Sequence, residues 1–246
     1  MRAPFTGMDE VAGDLIQAIG RADLDAQLLT IADALIGADE VFAYAYSPGG
    51  APNPILSCDR SGRTDARPAL YIDRFYRLDP FLAQMSPTGP DHLARQISAW
   101  DIVDPDYRRE CFDKPRFAEK LSYAARTGEA WTVLSFYRRH DRQTANIQTL
   151  SAFSTLALPV LRKHAELTAE ARQPPLARLL ARLQRRHPEL SSREREVCVR
   201  TLMGQTAAEI GDHLGIQPST ALTYRRRAYE RIGVSSAAQL VCGLLS

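Results

Sequence analysis

The chain has 246 residues and no stretch of about 18 consecutive apolar residues, so no membrane-spanning helix is readable. Its opening segment carries Asp9, Glu10 and Asp14 where a secretory signal needs an apolar run. No signal is readable, and a cytoplasmic location with no membrane partner is expected. Only four cysteines occur, Cys58, Cys111, Cys198 and Cys242, and none belongs to a C-x-x-C pair. That spacing suggests neither a zinc site nor a disulfide framework, and reduced, mostly buried thiols are expected. The phosphate-cradling pattern G-x-x-x-x-G-K-S/T, the zinc-protease pattern H-E-x-x-H and the nucleophile elbow G-x-S-x-G are all missing. The five histidines, His92, His140, His164, His187 and His213, are scattered, and His140-Asp141 reads as part of a solvated arginine-rich loop. No catalytic residue, metal site or cofactor is expected.

What is present is the material of a globular protein. The chain is 45% hydrophobic and 24% charged, enough apolar content for one large domain or two small ones. The net charge of +2 hides an asymmetry. Residues 172–246 hold twelve arginines against six acidic residues, while residues 1–171 carry a net negative charge of 4. A basic end on an acidic body suggests that one end meets a polyanion.

Hydrophobic periodicity predicts helices over 8–20 and 22–37, then a strand over Glu40–Tyr46 with aromatics at alternate positions. A second strand is expected over Ile55–Cys58. Residues 68–85 read as helical on either side of Asp79-Pro80, residues 86–103 as irregular, and Asp106–Asp113 as a short helix. Two strands, Lys120–Ala125 and Trp131–Arg138, flank the turn Thr127-Gly128-Glu129. A long helix follows over about 145–168, with Pro159 as its kink point. This order predicts an α+β fold, an α-β-α sandwich around a mostly antiparallel sheet, similar to PAS and GAF domains. The adjacent prolines Pro174 and Pro175 mark a boundary. Beyond it, Leu176, Leu179, Leu180 and Leu183 form a one-sided stripe, the mark of a connecting helix packed on one of the domains. The expected division is residues 1–168, a sensor or dimerisation domain; 169–186, a linker and connecting helix; and 187–246, a helical domain.

Residues 190–245 carry the strongest signal. Ser191 or Ser192 can cap a helix that Gly204 stops. Thr206 caps a second, short helix with Glu209 three residues on, and Gly215 ends it. Pro218 opens a third helix, and Ser236–Leu245 closes the set as a fourth. On the third helix, Ala221, Ala228 and Ile232 share the core side with Arg225. Ser219, Leu222, Thr223 and Arg226 point away, with Arg225 and Arg227 on the shoulders. Short side chains at a helix start, followed by arginines, suit a helix-turn-helix reading the major groove. Arg226 has the reach for a bidentate bond to guanine, and the flanking arginines for the phosphate rails.

The segment resembles the LuxR-type helix-turn-helix. The residues that carry the likeness are Leu190, Ser191, Arg193-Glu194, Val197, Gly204, Glu209-Ile210, Leu214-Gly215-Ile216, Thr220-Ala221 and Ile232-Gly233-Val234. Gln217, Leu222 and Tyr224 depart from it, standing where the family often has Ser, Lys or Arg, and His. The resemblance implies an all-α four-helix domain and a non-enzymatic transcription regulator that binds double-stranded DNA. The last helix carries Ala237, Leu240, Val241, Leu244 and Leu245, an apolar stripe that suits a two-fold contact, so a homodimer is expected. Ser219, Leu222, Thr223 and Arg226 are the expected base-reading residues, and Thr206, Tyr224, Arg225 and Arg227 the expected phosphate contacts. RNA polymerase is a further partner such a regulator implies. A sigma factor is the nearest rival, but it would need a promoter-melting module that this α/β body does not offer.

Two opening helices argue against a phosphoacceptor receiver in the first domain. It more nearly resembles the acyl-homoserine-lactone-binding domain of quorum-sensing regulators, in which an aromatic-rich helix leads into Asp-Pro and a Trp follows. Here Tyr71, Phe75 and Tyr76 precede Asp79-Pro80, and Trp100 comes later. The family's Trp-x-x-x-Tyr spacing before Asp-Pro is absent. Two readings stand side by side: a ligand pocket formed by Tyr71, Phe75, Asp79 and Trp100, with Asp79 accepting a ligand N–H, or a turn cap at Asp79 among core aromatics in an orphan, ligand-independent regulator.

Overall fold

A computed structural model describes residues 8–63, 66–139, 147–172 and 174–245. The RRHDR stretch with His140-Asp141 lies mainly outside them. The chain divides into two compact units, residues 1–168 and 169–246.

The first unit opens with α1 (Met8–Gln17) and α2 (Leu24–Ile36), followed by β1 (Glu40–Tyr46), β2 (Asn53–Asp59) and β3 (Gly62–Arg63). Then come α3 (Ala66–Leu70), β4 (His92–Ser98), α4 (Pro105–Arg108), β5 (Phe117–Thr127), β6 (Ala130–Arg139) and α5 (Ile147–Arg172). The six strands form one antiparallel sheet in the order β3-β2-β1-β6-β5-β4. Successive side chains of a strand point to opposite faces, which sorts the core into two layers. Val41, Ala43, Leu134 and Phe136 pack against α1, α2 and α5. Phe42, Tyr44, Val133 and Tyr137 face an aromatic layer that holds Tyr71, Phe75, Phe81, Tyr107 and Phe112. Both faces are covered, so the central strand β6 is buried along eight consecutive residues. The architecture is the α-β-α sandwich that the element order predicts.

Two expectations need correction. Residues 86–103 are not irregular throughout: His92–Ser98 form the edge strand β4. An edge strand needs little apolar content, and of these seven residues only Ile97 is fully buried, so its alternation is too weak to read. Residues 68–85 are not two α-helices. After α3 the chain passes through a π turn (Tyr71–Phe75) and two 3-10 turns (Tyr76–Leu78 and Leu82–Gln84). Between those last two, Asp79 is extended at ψ 116°, as a residue before proline is biased to be. The two-residue strand β3, invisible in the sequence, pairs with the end of β2 across a tight turn.

The second unit holds α6 (Pro175–Arg186), α7 (Ser192–Leu202), α8 (Ala207–Leu214), α9 (Pro218–Ile232) and α10 (Ala237–Leu245). The leucine stripe of α6 packs with Leu190, Cys198, Val199, Ala228, Leu240 and Leu244. A second, smaller cluster of Val197, Ile210 and Ala221 joins α7, α8 and α9. Among the described residues no helix is long and apolar enough to cross a membrane, and no group of three or more His, Cys, Asp or Glu is placed to hold a metal. Burial pushes the Cys111 and Cys198 thiols up to about 11, so neither is a thiolate at neutral pH.

Candidate functional site

In the second unit, local chemistry sets each helix end. Ser191 and Glu194 form a capping box at the start of α7: the Ser191 N–H donates to Glu194 Oε2 at 2.8 Å, and the Glu194 N–H to Ser191 Oγ at 3.3 Å. Thr206 and Glu209 do the same for α8 at 2.7 and 3.3 Å. Gly215 ends α8 in the left-handed conformation, φ 64°, which glycine adopts without steric cost. The turn into α9 is close-packed: a Cβ on Gly211 would lie 2.7 Å from the Ile216 carbonyl oxygen. Gln217 and Pro218 then start α9.

The faces of α9 fall as the periodicity predicts. Ala221 and Ala228 are fully buried, with Ile232 half-buried beside them. Ser219, Leu222 and Arg226 are exposed, and Thr223 is half-buried with its hydroxyl donating to the Ser219 carbonyl at 2.9 Å. Arg226 is open to solvent, with Glu230 one turn on at 3.7 Å. Arg227 is exposed and, with Ser219, Thr220, Thr223 and Tyr224, lines a hollow of about 300 Å³ on one flank of the helix. The remaining expected phosphate contacts are less free. Tyr224 leans into the Val197–Ile210–Ala221 cluster, and Arg225 is half-buried. The exposed Thr206 already uses its hydroxyl within the capping box, donating to Glu209 at 2.9 Å.

Glu194 has a second role that its spacing does not reveal. It is almost fully buried and receives Arg231 at 2.7 Å, so the start of α7 is tied to the end of α9. Burial opposes its ionisation, but the Ser191 N–H and hydroxyl together with Arg231 and Arg227 outweigh that and hold its carboxyl below the usual range.

In the first unit, Tyr71, Phe75 and Asp79 share one buried layer. Asp79 Oδ1 accepts the Phe81 N–H at 2.9 Å, an Asx turn across Pro80. Its Oδ2 accepts from the Tyr71 hydroxyl at 2.6 Å and from Lys120 Nζ at 2.5 Å. Lys120 is 1% exposed, a buried cation that the strand KLSYAA hides among apolar neighbours; its signal was a charge in phase with inward-facing positions. The Tyr44 and Tyr71 hydroxyls lie 3.3 Å apart. Burial, then the nearby Asp79 charge, pushes the Tyr71 phenol well above its ordinary value, which keeps it a neutral donor. A second buried pair, Arg67 with Glu40, lies in the same unit, with the Arg67 guanidinium 4.0 Å from the centroid of the Tyr137 ring.

Trp100 does not join this group. It follows β4 at the surface, 80% exposed, with the Arg108 guanidinium 5.3 Å from its ring centroid. The expected four-residue pocket is therefore three residues in a closed layer and one outside it.

Comparison with known proteins supports the reading of the second unit. Residues 188–244 match the profile of the family described as "Bacterial regulatory proteins, luxR family". A 54-residue stretch is 46% identical to the "Probable transcriptional regulatory protein NarL" of Mycobacterium tuberculosis, in strains CDC 1551 / Oshkosh and ATCC 25618 / H37Rv. That match covers 22% of this chain, and the chain spans about a quarter of the length of these curated relatives. Among solved structures, the VqsR LBD domain from Pseudomonas aeruginosa is similar over 66% of this chain and 99% of its own, at 18% identity and a TM-score of 0.48. Escherichia coli SdiA is similar over 96% of both chains, at 16% identity and a TM-score of 0.45. The capped helices, the glycine turn and the family match agree: residues 188–244 are a LuxR-family domain.

Proposed function

We propose that this protein is a transcription regulator, not an enzyme, that reads double-stranded DNA with α9. The observation that carries the reading is the division of α9. The core takes only Ala221 and Ala228 fully, and the side left open offers Ser219, Leu222, Thr223 and Arg226, flanked by Arg227. The major groove, about 12 Å wide, admits a helix with short side chains at its leading end. Arg226 then reads a guanine edge, while Arg227, Arg225, Tyr224 and Thr206 serve the phosphates. Val241 on α10, 39% exposed beside the buried Leu240 and Leu244, suits a two-fold contact, so the protein binds an inverted repeat as a homodimer. RNA polymerase is its downstream partner, and the cytoplasm its compartment. Selection from a random duplex pool tests the reading. The wild type enriches a defined half-site, and Arg226→Ala loses about 1–3 kcal/mol at one base position and relaxes preference there. An unchanged preference removes Arg226 from base reading; one monomer per site without cooperativity overturns the dimer.

The role of the first unit divides on Asp79. The three donors already on its carboxylate favour a ligand-independent regulator. One observation favours a ligand inside: Tyr107 Oη and Trp131 Nε1 are buried with no hydrogen-bond partner among the described residues, and a buried unsatisfied group is costly. Melting scans against an acyl-homoserine-lactone panel separate the two. A ligand bound only by the folded state raises the melting temperature, and Asp79→Asn abolishes that rise if the carboxylate accepts a ligand N–H. No rise with any lactone is the outcome that the occupied carboxylate favours.

A further inference from the structure

A cleft of about 630 Å³ opens on the surface of the first unit beside Trp100, within the size range of small-molecule sites. Two kinds of side chain line it. Trp100, Phe112 and Phe117 supply flat apolar surface, and Arg108, Arg116 and Arg139 supply positive charge, with Asp113 the single acidic lining residue. Phe112 and Phe117 are buried, while Trp100 stands almost free. An exposed indole beside buried rings is a face waiting for a planar partner.

The arginines differ in what already holds them. Arg108 is 3.7 Å from Asp113. Arg139 is 3.4 Å from Asp39, and its Nε donates to the Pro115 carbonyl at 3.2 Å. Arg116 is exposed and has no carboxylate partner among the described residues. Its backbone is also singular: at φ 63° it is the one non-glycine residue with positive φ among the described residues. A long side chain pays for that conformation, and non-glycine residues held this way cluster at binding sites. Of the three arginines lining the cleft, the strained Arg116 is the one without a carboxylate partner among the described residues.

We propose that this cleft binds a small aromatic carboxylate. The ring lies against the open face of Trp100 and the Phe112–Phe117 surface, and the carboxylate meets Arg116, with Arg108 adding charge. A guanidinium offers a carboxylate two parallel N–H donors, which an inorganic ion or a neutral ring cannot exploit together with the apolar wall.

Isothermal titration calorimetry on the full-length protein tests this with 2-naphthoate as the probe, 2-naphthamide as its uncharged counterpart and inorganic phosphate as an ion without a ring. Saturable 2-naphthoate binding, at least tenfold tighter than that of either control, is expected. Arg116→Gly weakens it at least tenfold. Because glycine adopts φ 63° without strain, the free variant melts at or above the wild-type temperature, so the loss cannot be ascribed to unfolding. Trp100→Ala, at an exposed position, weakens binding about fivefold. No saturable heat at millimolar 2-naphthoate, equal binding of the amide, equal binding of phosphate, or full affinity in Arg116→Gly each overturns the proposal. None of these outcomes depends on DNA binding by the second unit.

Discussion

The two units hold themselves together over different distances along the chain. In the second, the decisive polar contacts join residues three or four apart: Ser191 with Glu194, Thr206 with Glu209, His213 with the Glu209 carbonyl. In the first they join residues far apart: Asp79 with Lys120 across 41 positions, Glu40 with Arg67 across 27, Asp39 with the Arg139 N–H across 100. Local contacts follow from helix geometry and leave a spacing pattern. Distant contacts exist only once elements far apart in the chain have packed together, and they leave none. The second unit therefore reads as a motif, and the first only as an order of elements.

The strongest way to break this contrast is Lys120→Met. It leaves Asp79 buried without its cation, and removing one partner of a buried pair costs about 3–5 kcal/mol. Chemical denaturation should show that loss, with part of it recovered in Lys120→Met/Asp79→Leu. A cost below about 1 kcal/mol, the level of a solvent-exposed pair, would mean that the distant contacts are not what holds the sheet layer.

Gly211→Ala probes the local side. Alanine normally improves a helix by about 1 kcal/mol over glycine, but here its Cβ meets the Ile216 carbonyl. The clash dominates and the variant loses about 1–3 kcal/mol, read as a lower denaturation midpoint. A gain in stability would show that the α8–α9 turn has room to relax.

Glu194→Gln sharpens the contrast, because Glu194 is the place where a local cap also makes a distant contact. Glutamine keeps the capping box but loses the charge that meets Arg231, a half-exposed partner, at a cost of about 1 kcal/mol. The native carboxyl titrates below its unfolded value, so its contribution is fully present above about pH 4.3 and disappears as the pH falls through the lowered native value. The stability difference between wild type and Glu194→Gln, followed from pH 7 to pH 3, should shrink across that window. A difference independent of pH removes the charge from the account.

The smallest effect is on salt dependence. Arg227→Ala weakens DNA binding evenly across sequences and lowers the slope of log K against log salt by about 1. Arg225, half-buried, should change the slope less. Equal changes would mean that α9 turns on its axis when it meets DNA.

Much of the first unit was legible element by element. Glu40–Tyr46 matches its strand at both ends, because alternating aromatics on a covered strand are a clear signal. The edge strand β4 was missed because one face of it meets solvent. The turns after α3 were missed because π and 3-10 geometry has no distinct hydrophobic period. The Asp79 surroundings were half-legible: an Asp before Pro announces a turn, but nothing nearby announces Lys120. Trp100 misled because the sequence grouped it with Tyr71 and Asp79, whereas it stands beside Arg108 at the surface, outside that layer.

By itself the sequence determined the helix ends and faces of the second unit, the sandwich order of the first, and the arginine-rich side of α9. Each of these rests on interactions within a few residues or on a regular period. Only the tertiary structure decided that Lys120 neutralises Asp79, that Arg231 shares Glu194 with a helix cap, and that Trp100 faces three arginines across an open cleft. Those groups meet through strand pairing, layer packing and, for Arg231 and Glu194, the packing of α9 on α7, where distance along the chain carries no information about distance in space.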